Sequence, residues 1–295
     1  MKLGREPGVV LDCRNNLGES IVWDERAGRL WWANIHAGEV WSWDPFGPDA
    51  PEVFTIGDRV GAIGLRAGDD LVLALEKGFA FYDPKSGVLQ PIGEVETDLP
   101  TTRLNDGRID PAGRFLCGGM DEATPQRHIS AVYSLEPDGT IKRRIGGIAC
   151  ANSTCWSPDG RTLYFANMPL RRIDAYDYDV ASGEVSNPRL FASLEGEPGL
   201  ADGSAVDAEG YLWNAQWGGG KLVRYAPDGT VDRQVALPVT NPTCLAFGGP
   251  DLDILFVTSA SFGLDDAQRA AEPLAGSLFA FRPGVRGLPE HRFTG

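Results

Sequence analysis

The sequence is short of histidine and cysteine and has no long apolar run, and each shortage removes a class of function. Its three histidines, His36, His128 and His291, stand far apart along the chain. A zinc centre built on two or three imidazoles is therefore not expected. The five cysteines, Cys13, Cys117, Cys150, Cys155 and Cys244, are odd in number and include no C-x-x-C pair. That suggests neither a disulfide framework nor a thiolate zinc site, and leaves small buried side chains as their expected role. No window approaches the roughly eighteen uninterrupted apolar residues of a membrane span, and the opening MKLGREPGVV lacks the apolar stretch of a secretory leader. A cytoplasmic protein with no membrane partner is the expectation. Basic residues are also scarce: 27 Lys and Arg against 41 Asp and Glu give a net charge of -14. Nucleic-acid binding draws most of its affinity from cations on phosphates, so no such partner is expected. Cations and neutral small molecules fit the balance better.

What is present is repetition. ESIVWDERAGRLWWA, RLNDGRIDPAGRFL, NSTCWSPDGRTLYFA and DGSAVDAEGYLWNA each carry a Gly-containing turn followed by an apolar strand, and VGAIGLRAGDDLVLA and NPTCLAFGGPDLDILFV are weaker copies. Anchored at Asp24, Leu65, Asp110, Ser157, Asp207 and Ala246, the six recur at intervals of 39 to 50 residues, the period of four-stranded propeller blades. A second alternating run follows each copy: VWSWDP, FAFYDP, VYSLEPDG, IDAYDYD, LVRYAPDG and LFAFRPG. Alternation of β-branched and aromatic residues ended by Asp, Pro or Gly marks a strand and its turn. More polar fourth strands fit PEVFTI and TVDRQVAL. Only FGLDDAQRAAEPLAG suggests helix, and no more than a turn or two. The fold expected is all-β: one domain over residues 1–295, a six-bladed β-propeller with four-stranded antiparallel blades. The run GVVLD near the N terminus lies outside the six copies and is free to close the last blade, which otherwise leaves an unpaired edge.

In a propeller the first strand of every blade lines the central channel, so equal offsets in different blades converge on one ring. Five residues before each anchor stand Glu19, Val60, Asn105, Asn152, Asp202 and Asn241. Any one Asn or Asp there is adequately explained as a turn former, and Asn241, followed by Pro242, is. Glu19 is a poor turn former, and two carboxylates with several amides facing one another repel unless a cation sits among them. Hard oxygen donors suit calcium, magnesium or manganese more than zinc. His36 and His291 are expected in hairpin or surface roles, and His128, in the loop after Met120, is a candidate to overhang the channel. Trp31, Trp32, Trp41 and Trp43 read as blade core.

LGESIVWD, RLNDGRIDPAGRF with GGM after it, NSTCWSPDGRTLYFA with DAYDYD, and ADGSAVDAEGYLW together resemble the regucalcin and gluconolactonase family of six-bladed propellers, in family order and over nearly the whole chain. The resemblance implies hydrolysis of a sugar lactone to its aldonate in carbohydrate catabolism, with one divalent ion as cofactor: calcium first, with manganese, magnesium, zinc and iron as alternatives. It implies Glu19, Asn152 and Asp202 as metal ligands, Asp202 also as catalytic base, and Arg103 and Asn105 as substrate-binding residues. An acidic residue after the GGM segment should join them, Glu122 in preference to Asp121. Trp213 or Trp217 would be placed to stack on a sugar. The chain departs from the family pattern at Ser153 (Gly), Ala201 (Pro) and Asn167 (Asp), none of them a proposed ligand. Those changes should bear on substrate choice. Two rival readings use the same scaffold: an ester or phosphotriester hydrolase, and a calcium-binding protein without catalysis. A propeller that only docks other proteins predicts apolar or scattered residues at the ring.

Overall fold

The computed structural model describes residues 3–295 and is a six-bladed β-propeller of four-stranded antiparallel sheets. The inner strands are Gly18–Asp24, Ala62–Arg66, Thr102–Ile109, Ala151–Trp156, Leu200–Val206 and Pro242–Gly248, one per repeat copy and numbered here as blades 1 to 6. Each is followed outward by three further strands. The recurring aspartate explains why the repeat forms a hairpin. Asp24, Asp110 and Asp207 accept the backbone N–H two residues on, from Arg26 (3.0 Å), Ala112 (2.9 Å) and Glu209 (3.0 Å). The turn glycine then takes a left-handed φ that a side chain would resist, +83° at both Gly113 and Gly210.

Buried apolar side chains gather between neighbouring sheets, one cluster to each of the six interfaces. Trp31 and Leu73 meet between blades 1 and 2, Leu116 and Phe165 between blades 3 and 4. Both faces of every blade are thus covered, and the alternating runs of the third strands supply the packing surface.

The ring closes through its two ends. Gly8–Leu11 pairs antiparallel with Leu278–Phe281 and becomes the outer strand of blade 6. At the other terminus, Arg292–Phe293 pairs parallel with the inner strand of blade 2 through Arg292 to Leu65 and Phe293 to Arg66, so that this blade carries a fifth strand. The C-terminal tail reaches it by crossing beneath the channel. Gly287 bridges Asp207 in blade 5, Glu290 pairs with Arg108 in blade 3 at 3.5 Å, and Leu288, Pro289 and His291 line a cavity there. The helix Asp266–Ala271 is short, capped by Asp265 with Gln268 reaching back to it. No helix among the described residues is long and apolar enough to cross a membrane.

Candidate active site

Plain alternation would send every second side chain of an inner strand into a blade. Five of the six inner strands break that alternation. Their pairing shifts between Glu19 and Val22, Leu104 and Gly107, Asn152 and Cys155, Ala201 and Ser204, and Pro242 and Leu245. A bulge re-aims side chains and ends regular pairing, and here it falls beside each oxygen-bearing ring position. The blade 2 strand runs without a shift, and its ring residue is Val60. The residue after the ligand candidate absorbs the strain: Ser20 has φ +52° and Ser153 φ +62°. At Gly203 a side chain is excluded outright, because a Cβ there would lie 2.7 Å from Cys244 Sγ.

Glu19, Asn105, Asn152 and Asp202 converge. Asn105 Nδ2 donates to Asn152 Oδ1 at 3.1 Å and to the Ala151 carbonyl at 2.9 Å. Desolvation lifts the Glu19 carboxyl to about 8, with Asp106 adding repulsion, and burial lifts Asp202 well above its ordinary value, with Glu19 and Asp106 pushing further. Two acids this close hold a proton between them unless a cation replaces it. The donors are two carboxylates and one amide oxygen, which suits a hard divalent ion. Among the described residues no three His, Cys, Asp or Glu side chains form a metal-holding group; the third donor here is an asparagine.

Above this cluster lies a chain of ion pairs. The Arg103 guanidinium is buried, 3% exposed. Its Nη1 donates to Asn105 Oδ1 at 2.7 Å and its Nε to Glu122 Oε1 at 3.1 Å. Glu122 is gripped from its other side by Arg59, whose Nη1 and Nη2 reach its two oxygens at 2.7 and 3.0 Å, while Arg59 Nε holds Glu76 at 2.8 Å. Burial alone would raise the Glu122 carboxyl, but the two guanidiniums hold it below the usual range. Of the two acids after the GGM segment, Glu122 therefore joins Arg103. Asp121 is fully buried and spent on Thr101 Oγ1 (2.5 Å) and Arg127 Nε (2.8 Å).

Asn241 serves structure, accepting from the Gly218 N–H at 3.1 Å and donating to the Phe262 carbonyl at 3.1 Å. His128 is exposed, its Nδ1 3.2 Å from Asn167 Nδ2. Trp213 is wholly buried, its indole N–H bound to Asp207 Oδ2 at 3.0 Å, so of the two candidate stacking residues only Trp217 keeps exposed surface. His36 lies, as expected, in a hairpin, between Arg29–Asn34 and Glu39–Trp43. It is half-buried with Nδ1 2.7 Å from Asn16 Oδ1, and burial followed by Arg103 and Arg59 lowers its pKa. Two further groups gave no signal in the sequence. Asp106 accepts the Thr154 N–H at 2.8 Å and is raised by burial; strict alternation would have turned it away from Asn105, and the bulge brings both inward. Arg59 comes from a loop with no repeat pattern.

The description "SMP-30/Gluconolactonase/LRE-like region" matches residues 17–261 of this chain. The chain belongs to that family. Within the SMP-30/gluconolactonase group, L-arabinolactonase of Azospirillum brasilense is 41% identical over 290 residues, 97% of this chain and 95% of that one. Regucalcin of Xenopus laevis is 33% identical over 285 residues, covering 95% of each chain. Among solved structures, the calcium-binding protein regucalcin of Agrobacterium tumefaciens superposes with a TM-score of 0.92 at 31% identity and 99% coverage of both chains. The family expected from the resemblance and the propeller expected from the repeats are both shown.

Proposed function

We propose that this protein is a divalent-metal-dependent lactonase that opens a small aldonolactone to the aldonate in carbohydrate catabolism. The observation that carries the reading is the convergence of Glu19, Asn152 and Asp202 directly beneath the Asn105, Arg103 and Glu122 cluster. Its similarity to an L-arabinolactonase favours a pentonolactone as the first substrate to try. A calcium buffer without catalysis would have no use for a buried guanidinium beside a cation site.

Glu19, Asn152 and Asp202 would hold the ion, calcium by the chemistry of the donors. When bound, it would polarise the lactone carbonyl and offset the charge that develops on its oxygen. Asp202 takes the proton of the attacking water as the water oxygen bonds to the carbonyl carbon. The ring C–O bond then breaks, the ring oxygen takes up a proton, and the ring becomes an open hydroxy acid. Arg103 and Asn105 fix the polyol hydroxyls so that the carbonyl stays within reach of that water. Glu122, locked between Arg59 and Arg103, accepts from a substrate hydroxyl.

Asp202→Asn keeps size and removes the base. It should abolish proton release from aldonolactones, followed with a pH indicator, while circular dichroism and Tm remain those of a folded propeller. Full turnover by this variant would remove Asp202 from the reaction.

A further inference from the structure

The polar cluster occupies one side of the channel mouth, over blades 2 and 3. The other side, over blades 1, 5 and 6, is aromatic. Phe262 lies in the loop between Ile254–Ser259 and Leu278–Phe281. Its N–H donates to the Asn16 carbonyl at 2.8 Å, and its carbonyl accepts from Asn241 Nδ2 at 3.1 Å. The loop is thus pinned to the starts of two inner strands, three residues from Glu19 at one of them. The His36 ring meets Phe262 edge-on at 4.5 Å and 82°, and Trp217 lies 6.4 Å away, tilted by 49°.

This Phe is 45% exposed. Of the other exposed large apolar residues, Val9, Val53, Val88, Leu190 and Val231 stand on the outermost strands, and Phe46 and Leu170 lie in the turns of blades 1 and 4. Phe262 is held at the mouth by hydrogen bonds on both sides of its backbone. The charged groups come from blades 2 and 3 and the aromatic rings from blades 1, 5 and 6 of one closed ring, so the two sides face one another.

We infer that His36, Trp217 and Phe262 form the wall that binds the C–H face of the lactone ring and thereby selects cyclic sugar lactones. The inference rests on the lactonase reading above and deepens it. A sugar ring carries C–H groups on one face and hydroxyls around its rim. The C–H groups carry slight positive charge and suit the negative face of an aromatic ring, while the hydroxyls suit Arg103, Asn105 and Glu122. With Nδ1–H directed to Asn16, the neutral His36 ring presents Nε2 as an acceptor for one rim hydroxyl. Few convergent polar groups opposite an apolar surface is the usual construction of a small-molecule site.

The test is steady-state kinetics of Phe262→Ala and Trp217→Ala on the aldonolactone that the wild type opens best. Each should raise KM by roughly tenfold and leave kcat within about twofold, the pattern of lost binding shared by ground and transition states. Phe262→Tyr and Trp217→Phe, which keep a flat ring, should recover most of the loss. Calcium titration and Tm of each variant, matching the wild type, show that the fold and ion site are intact. An unchanged KM in both alanine variants overturns the wall, as does a failure of the aromatic replacements to recover it. A wild type that opens no aldonolactone sinks the lactonase reading, and the wall falls with it. Turnover by the wild type with indifferent alanine variants sinks the wall alone.

Discussion

Ser153 sits where its φ of +62° would favour glycine, yet its hydroxyl is fully used. Oγ donates to the Asp202 carbonyl at 2.8 Å, lies 2.9 Å from Ser204 Oγ, and accepts from Asn214 Nδ2 at 3.1 Å. The strain of the left-handed backbone, of order 1 kcal/mol or more, is offset by tying the inner strand of blade 4 to that of blade 5 just behind two proposed ligands. Ser153→Ala keeps the strain and removes the tie, and should cost about 1–2 kcal/mol in urea unfolding. Ser153→Gly removes both and should fall between the alanine variant and the wild type. An alanine variant as stable as the wild type would mean that the hydroxyl contributes nothing.

Among the elements, the strand Gly8–Leu11 covers the edge of Leu278–Phe281 and joins the first residues to the last blade. Deleting residues 1–12 should lower Tm by several degrees, at roughly 2–4 °C per kcal/mol in a chain of this length, and should increase aggregation through the bared edge. Scanning calorimetry with light scattering checks both, and an unchanged Tm would deny the strand a role in closure. Blade count, strand order and this closing strand were legible in the sequence because alternation, Asx turns and a fixed period are local signals. Glu19, Asn105, Asn152 and Asp202 were legible for the same reason, being equal offsets in a repeat. Asp106 was hidden by a bulge, which no single residue announces, and alternation pointed the wrong way. Arg59, His36 and Phe262 come from loops of blades 2, 1 and 6, whose meeting depends on ring closure rather than on anything nearby in the chain.

At the scale of the whole molecule, the acids in the channel link stability to pH and, on the proposed reading, to a bound ion. The Glu19 carboxyl is raised from 4.5 to about 8 and Asp202 is raised with it, so the folded chain holds these protons more tightly than the unfolded chain does. Their contribution is complete below the unfolded value and is lost as pH rises through about 8. A bound cation reverses this, since it favours the ionised carboxylates. The gain in Tm on replacing chelator with calcium should therefore be larger at about pH 8.5 than at about pH 6, and Glu19→Gln should shrink that difference. An equal gain at both pH values would show that these acids do not hold the ion. The C-terminal tail adds a constraint of another kind. By passing under the blades and pairing Glu290 with Arg108, it floors the passage, which becomes a cul-de-sac. On the lactonase reading, an acid formed at Asp202 would have to back out past Arg103 and Phe262 and vacate the lobby before the next ring could come in.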